Sequence, residues 1–404
     1  MSRPQILAGF KVVEYGDFVS APYAAKLLGD LGAEVIKVEP PEGDSARRHG
    51  PFPRDIPHPE RSGLFLYFNT SKLGITLNLE TATGRWLLDR LVERVDVFIH
   101  NVPPARTCDL GLDYGRLSAV NPRLVVVAIS PYGQDGPYRD YRAYDINTQA
   151  AGGLSLGIGD PNREPLKLPL TQSGFQAGLV GALGALCALF SREATGRGQF
   201  IDVAEADVWA TIHTGVGVVA WLFGGRLRQR SGRRLIGQPY PHGVFRCKDG
   251  YVALQCAERR QWEQFLKMVG EPEWGRDPKY RDRLKNQEEY AEELDALLAP
   301  WLMAHTREEI FRRCQEYRLA GAPLKEVDEV LAEPQLRERG FFYELEHPEA
   351  GRLTYPGLPF RFSQTGASSP ARAPLLGEHN ERIYISWLGL SRAELTQLRQ
   401  AGVL

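Results

Sequence analysis

The strongest constraint on the fold is an alternation near the N-terminus. Short β-branched runs and helical segments take turns through the first 130 residues. Phe10–Glu14 reads as a strand, Ala21–Leu31 as a helix ended by Gly32, and Glu34–Glu39 as a second strand. Gly74–Leu79, a helix Ala82–Arg94 and Val95–Ile99 repeat the pattern, and a helical stretch Asp113–Val120 leads into Arg123–Ile129. Val and Ile favour the pleated conformation, and a glycine at a helix end supplies the left-handed residue that stops it. Strands separated by single helices need crossovers and therefore lie parallel, so a doubly wound α/β domain is predicted.

The middle of the chain changes character. Residues 136–170 are rich in Gly, Pro, Tyr and Asp and read as long loops around a site. Two apolar helices, 174–192 and 203–224, are expected next, then a basic linker, Gly225–Arg234. His242–Leu254 reads as a hairpin about Lys248-Asp249-Gly250, since two β-rich runs flank a turn. Helices at 259–269, 286–302 and 306–318 suggest a smaller α+β domain, and short strands after 335 precede a helix at Arg392–Gln400. The expected division is 1–224, 225–334, and a segment 335–404 that returns to the large domain.

Composition removes several function classes. With 49 Lys+Arg against 50 Asp+Glu, the chain lacks the basic field that nucleic-acid binding exploits. The five cysteines (108, 187, 247, 256, 314) are scattered without CxxC spacing, which argues against a zinc site or a disulfide framework and for a reducing cytoplasm. Lys11 and Glu14 arrive too early for a signal peptide. The most apolar segment, 174–190, falls short of the ~20 residues a membrane span needs and is rich in Gly and Ala, as a closely packed core helix would be. No two of the eight histidines stand four apart, and no dinucleotide fingerprint, Walker loop, HExxH or GxSxG occurs, so no metal is expected.

One segment narrows the field. Gly29-Asp-Leu-Gly-Ala-Glu-Val-Ile-Lys-Val-Glu-Pro-Pro-Glu-Gly-Asp44 resembles the family III CoA-transferases, the group that includes formyl-CoA transferase and carnitine CoA-transferase. Phe68-Asn-Thr-Ser-Lys72, Leu110-Gly-Leu-Asp-Tyr114, Asn121-Pro-Arg-Leu124 and Ser130-Pro-Tyr-Gly-Gln-Asp-Gly-Pro-Tyr138 agree with it. Thr195–Asp202, Lys248–Val252 and Pro374–His379 carry the likeness across the chain. The resemblance implies a Rossmann-like large domain, a smaller domain, and ring-like subunits interlocked as a dimer. It also implies CoA and acyl-CoA as substrates, a carboxylic acid as acceptor, and no tightly bound cofactor.

Residue by residue, the resemblance puts Asn69 and Lys72 at the nucleotide end, with Lys72 a point charge for phosphate. Asn101 and Val102 match a pair that sandwiches CoA. Arg142, Ala143, Tyr144 and Asp145 match a stretch that holds it near the reacting centre. Gly237, Gln238 and Pro239, with the 150–170 loop, fall at the pocket mouth where the acid is selected. The family's nucleophile is an aspartate that attacks the thioester, giving a mixed anhydride and then an aspartyl-CoA thioester. Its position falls on Gly174 or, with a one-residue shift, on Ser173, and Pro40 stands where the family often has arginine. Glycine cannot carry an acyl group. Three readings follow: a non-catalytic subunit paired with a homologue, as in the two-subunit benzylsuccinate CoA-transferases, or else a homodimer whose carboxylate has moved, with Asp145 the candidate, or a non-transferase CoA-binding protein or lyase. A racemase is disfavoured because Tyr144 replaces the expected histidine base.

Overall fold

The computed structural model describes residues 5–225, 230–234, 237–365 and 370–404, the side chains of 213–216 excepted. Four residues of the basic linker, 226–229, lie outside the described residues. Two compact units are present: residues 1–154, 167–226 and 338–404, and residues 155–166 and 227–337.

In the larger unit, β1 (Lys11–Tyr15), β2 (Glu34–Glu39), β3 (Lys72–Thr76), β4 (Val97–His100), β5 (Val125–Ser130) and β6 (Phe200–Ala204) form one sheet in the order 3-2-1-4-5-6. All neighbours pair in parallel. Around it stand α1 (Ser20–Asp30), α2 (Gly63–Phe68), α3 (Ala82–Val92), α4 (Pro104–Thr107), α5 (Tyr114–Val120), α6 (Asp145–Ala151), α7 (Gln172–Thr195), α8 (Glu205–Trp209) and α9 (Gly215–Gly224). Successive strand residues point to opposite faces. Val13, Ile36, Phe98 and Val126 accordingly pack with Leu87, Leu88 and Leu91 of α3. Val12, Val35, Val97 and Val125 pack with Ala21, Ala24 and Ala25 of α1 and Ala177 and Ala185 of α7. Burial on both faces is why these strands read as continuous apolar runs.

Three differences from expectation matter for the site. Residues 203–224 are not one helix: strand β6 ends at Ala204, and the chain then bends through α8 and a π-helical turn into α9. A short helix, α6, lies within the stretch read as loop. Helix α7 has 24 residues, so its length alone would allow a membrane span, and half of its most apolar window is buried. Its glycines explain that burial. A Cβ on Gly178 would lie 2.7 Å from the Ser20 carbonyl oxygen, one on Gly181 3.1 Å from Ile129 Cδ1, and one on Gly184 3.0 Å from Ile201 Cγ2. The helix is seated as closely on α1 and the sheet as its missing side chains allow.

The smaller unit holds an antiparallel sheet of β7 (His242–Cys247), β8 (Gly250–Gln255) and β9 (Ala320–Pro323), the last unforeseen. Helices α10 (Arg259–Met268), α11 (Arg283–Glu289), α12 (Ala291–Ala304) and α13 (Arg307–Glu316) accompany it around Phe245, Leu254, Phe265, Leu294 and Leu298. In the C-terminal segment, β10 (Phe342–His347) pairs with β11 (Gly351–Pro356). His379 and Asn380 then accept from the backbone of Gly74 and Thr76, and Tyr384 donates to the Thr76 carbonyl at 2.7 Å. These contacts cover the outer edge of β3, an open template for pairing if left bare.

Candidate active site

In an open α/β sheet, ligands bind beyond the carboxyl ends of the strands where the strand order reverses. Here that place is between β1 and β4, and a cavity of about 450 Å³ opens there. The loop Tyr15–Phe18 after β1, Asn101–Pro103 after β4, Ser130 and Pro131 after β5, and Glu205 after β6 line it, with Ala143 and Tyr144. No lysine or arginine is among the described lining residues.

Asn101 ties the two sides of the crevice together. Its Nδ2 donates to the Asp17 carbonyl at 2.7 Å and to Ser20 Oγ at 3.0 Å, while its Oδ1 accepts from the Asp17 amide at 2.8 Å. The Asp17 carboxylate accepts from the amide and hydroxyl of Ser45 at 2.7 and 2.8 Å. Burial and the nearby Asp44 carboxylate push its pKa up.

Behind the loop lies a fully buried charge cluster. Glu14 bridges Lys37 (2.9 Å) and Lys72 (2.7 Å), and Lys37 also meets Asp44 at 2.7 Å. Burial opposes the charge on Lys37, but Asp44, Glu14 and Glu39 overcome it and raise its pKa. Burial likewise opposes Asp44, yet the Lys37 ammonium holds that carboxyl down to about 2. Lys72 is lowered to about 8 by burial, which Glu14 only partly offsets. Its ammonium also donates to Asn69 Oδ1 and the Pro22 carbonyl, each at 2.8 Å. Asn69 and Lys72, expected at the nucleotide end, are therefore interior groups whose bonding capacity is spent within the fold.

Around the expected nucleophile position every group is packed or paired. A Cβ on Gly174 would lie 2.7 Å from Val19 Cγ1 and 3.0 Å from Val19 Cβ. Ser173, buried, accepts from Trp209 Nε1 at 2.8 Å and lies 2.8 Å from Thr148 Oγ1. Asp145 opens α6, and its carboxylate accepts from the Ser173 amide (2.7 Å), Gln149 Nε2 (2.8 Å) and Lys167 Nζ (3.2 Å). It is not among the residues lining the crevice. Glu205 is. Sequence reasoning passed over it because a glutamate in a helical stretch reads as a solvated face. Burial raises its pKa to about 7, Thr148 partly opposing and Asp145 adding to the rise.

Asn101, Val102, Ala143 and Tyr144 are thus brought together in one crevice. Arg142 is exposed outside its lining, and Gly237, Gln238 and Pro239 belong to the smaller unit. No group of three or more His, Cys, Asp or Glu among the described residues is arranged to hold a metal.

A sequence profile described as CoA-transferase family III matches residues 7–380. The chain belongs to that family. Like the family, this CoA-transferase moves CoA between acyl-CoA and carboxylic acids. It is 31% identical over 403 residues to the beta subunit of the succinyl-CoA–L-malate CoA-transferase of Chloroflexus aurantiacus, covering 98% of both chains. It is also 31% identical over 412 residues to a subunit of the succinyl-CoA:(R)-benzylsuccinate CoA-transferase of Thauera aromatica, covering 99% of this chain and 98% of that one. A CAIB/BAIF family protein from Brucella suis superposes with a TM-score of 0.85 at 29% identity, covering 95% of this transferase and 100% of the other chain.

Proposed function

We propose that this chain is the non-catalytic half of a two-chain CoA-transferase: it builds an acyl-CoA crevice, and a homologous partner subunit supplies the carboxylate that takes the acyl group. The observation that carries the reading is the 2.7 Å approach between a Cβ at Gly174 and Val19. The position lacks a carboxyl and lacks room for one. Asp145 is a poor substitute, because three donors hold its carboxylate and desert it only at the cost of a buried amide and an ammonium. No polar group here favours a lyase over a transferase.

Three features support the reading further. The described crevice lining offers apolar walls, hydroxyls, the carboxyls of Asp17 and Glu205 and no cation, which suits the neutral pantetheine arm and acyl group, with Arg142 outside it available to the phosphates. Both curated relatives named above carry subunit in their names. Leu179, Leu183 and Phe190 on one side of α7 are 51%, 59% and 84% exposed, an apolar face of the kind a partner chain covers. The interlocked dimer implied by the resemblance, with a homologue or a second copy, would bury such a face.

The test is CoA exchange between succinyl-CoA and an acid by the chain alone and with a co-expressed homologue. Exchange only in the mixture is expected, with hydroxylamine trapping the acyl group on the partner. Exchange by the isolated chain at ordinary transferase rates would sink the proposal.

A further inference from the structure

Two polar atoms in the crevice, Ser130 Oγ and Glu205 Oε1, make no hydrogen bond among the described residues. Ser130 is 3% exposed, lines the cavity, and its Oγ has no partner. A buried hydroxyl without a partner is uncommon and costs stability, so it points to a group supplied from outside. Glu205 stands beside it in the sheet: Ser130 is the register partner of Ala204, the residue before Glu205.

The bonds around Glu205 engage one of its two oxygens. An indole N–H can only donate, so Trp209 donates to Ser173 Oγ. Thr148 Oγ1 donates to Ser173 Oγ at 2.8 Å, and both hydroxyls reach the Asp145 carbonyl, at 3.2 and 3.3 Å. Thr148 Oγ1 also lies 3.2 Å from Glu205 Oε2. Oε1 is left without a partner among the described residues. It is the oxygen open to a ligand.

We propose that Ser130 and Glu205 form a carboxyl-recognising subsite, which holds a carboxyl group of the ligand through the Ser130 hydroxyl and a proton shared with Glu205 Oε1. The proposal rests on the acyl-CoA crevice argued above and adds a ligand class to it. With no lysine or arginine in the lining, an ionised carboxylate has no cation to meet, and a shared proton is the one charge-neutralising contact on offer. The charged groups about Glu205 agree: Asp145 on α6, itself paired with Lys167, and Asp17 in the same lining are acids. Glu205 is protonated below about pH 7 and loses its proton above it, so the carboxyl contact weakens as pH rises. The carboxyl could be the free end of a dicarboxylic acyl chain or that of the unesterified acid.

Calorimetric titration of the full chain separates these cases. The probes are two unreactive thioethers of CoA, S-(3-carboxypropyl)-CoA and S-butyl-CoA, and succinate added to CoA-loaded protein. If the acyl chain carries the carboxyl, the first thioether binds more tightly than the second at pH 6. That advantage falls about tenfold by pH 8, the response to loss of one required proton near pH 7. If the free acid is the source, succinate shows that pH dependence and the thioethers bind alike. In either case Glu205→Gln, which keeps a donor, retains binding and abolishes the pH dependence, and Ser130→Ala weakens the carboxylated probe alone. Absence of pH-linked binding for both probes, or an unchanged pH slope in Glu205→Gln, overturns the subsite and leaves the crevice standing. Failure of both thioethers to bind at all overturns the crevice and the subsite together.

Discussion

The polar groups at the two ends of the strand-end crevice are finished differently. Beside β1 and β2, Glu14, Lys37, Asp44 and Lys72 neutralise one another completely. Beyond β5 and β6, the Ser130 hydroxyl and one Glu205 oxygen have nothing to bind. Ser130 is as deeply buried as the cluster and Glu205 is half-buried, so depth alone does not distinguish the two sets. Partnership does. A closed cluster returns its desolvation cost through its own contacts and acts as architecture, whereas an open pair recovers that cost only when a ligand arrives.

The comparison can be broken in four ways. The largest effect is expected at Glu14. Glu14→Ala strands the buried Lys72 ammonium, leaves Lys37 with Asp44 alone, and should cost about 3–5 kcal/mol, the usual loss on breaking a buried ion pair, read by urea unfolding. A loss comparable to that of a surface mutation would mean the cluster is not architecture. Next, Gly174→Asp must displace Val19 and should cost about 1–3 kcal/mol, as overpacked cores do, without creating CoA exchange in the isolated chain. Restored exchange would show that the helix can move aside.

The third test is acid. Asp44 titrates near 2 when folded against an ordinary 3.8, so its contribution is present above 3.8 and lost as pH falls toward 2. Asp44→Asn should flatten the stability profile across that window. The smallest effect belongs to Glu205, whose pKa is raised. The folded state then binds more protons than the unfolded chain between 4.5 and about 7, and stability falls as pH rises through that interval. Melting temperatures of Glu205→Gln should lack this decline; an identical slope would place the carboxyl in solvent.

Strand–helix alternation made the large unit legible, because parallel strands buried on both faces announce themselves as apolar runs. Strand β2 lies at the expected bounds, Glu34–Glu39. Strand β6 was hidden because Phe200 and Asp202 are exposed and Ile201 is half-buried, so its apolar signal is weak, while Val203, Val208 and Trp209 also suit a helix face. Helix α6 is short, and its start is held by Asn147 and Tyr144 rather than by a Ser or Thr cap. At the crevice, loop residues Asn101, Ala143 and Tyr144, picked out by motif position, line one cavity. The burial of Lys72 was not legible, since a lysine in a string of letters does not disclose that Glu14, 58 residues earlier, will take its charge. Glu205 had no local signature, because its setting comes from β5, α6 and α7, all distant in the chain.

The contact between Gly174 and Val19 has a historical consequence. With the space beside residue 174 filled by a valine methyl, an acid introduced there meets a wall. Reversal needs two coordinated replacements, the second clearing position 19, and the first of them alone is harmful. The packing of α7 on α1 acts as a ratchet, and under the two-chain proposal a chain past it depends on its partner for the covalent step.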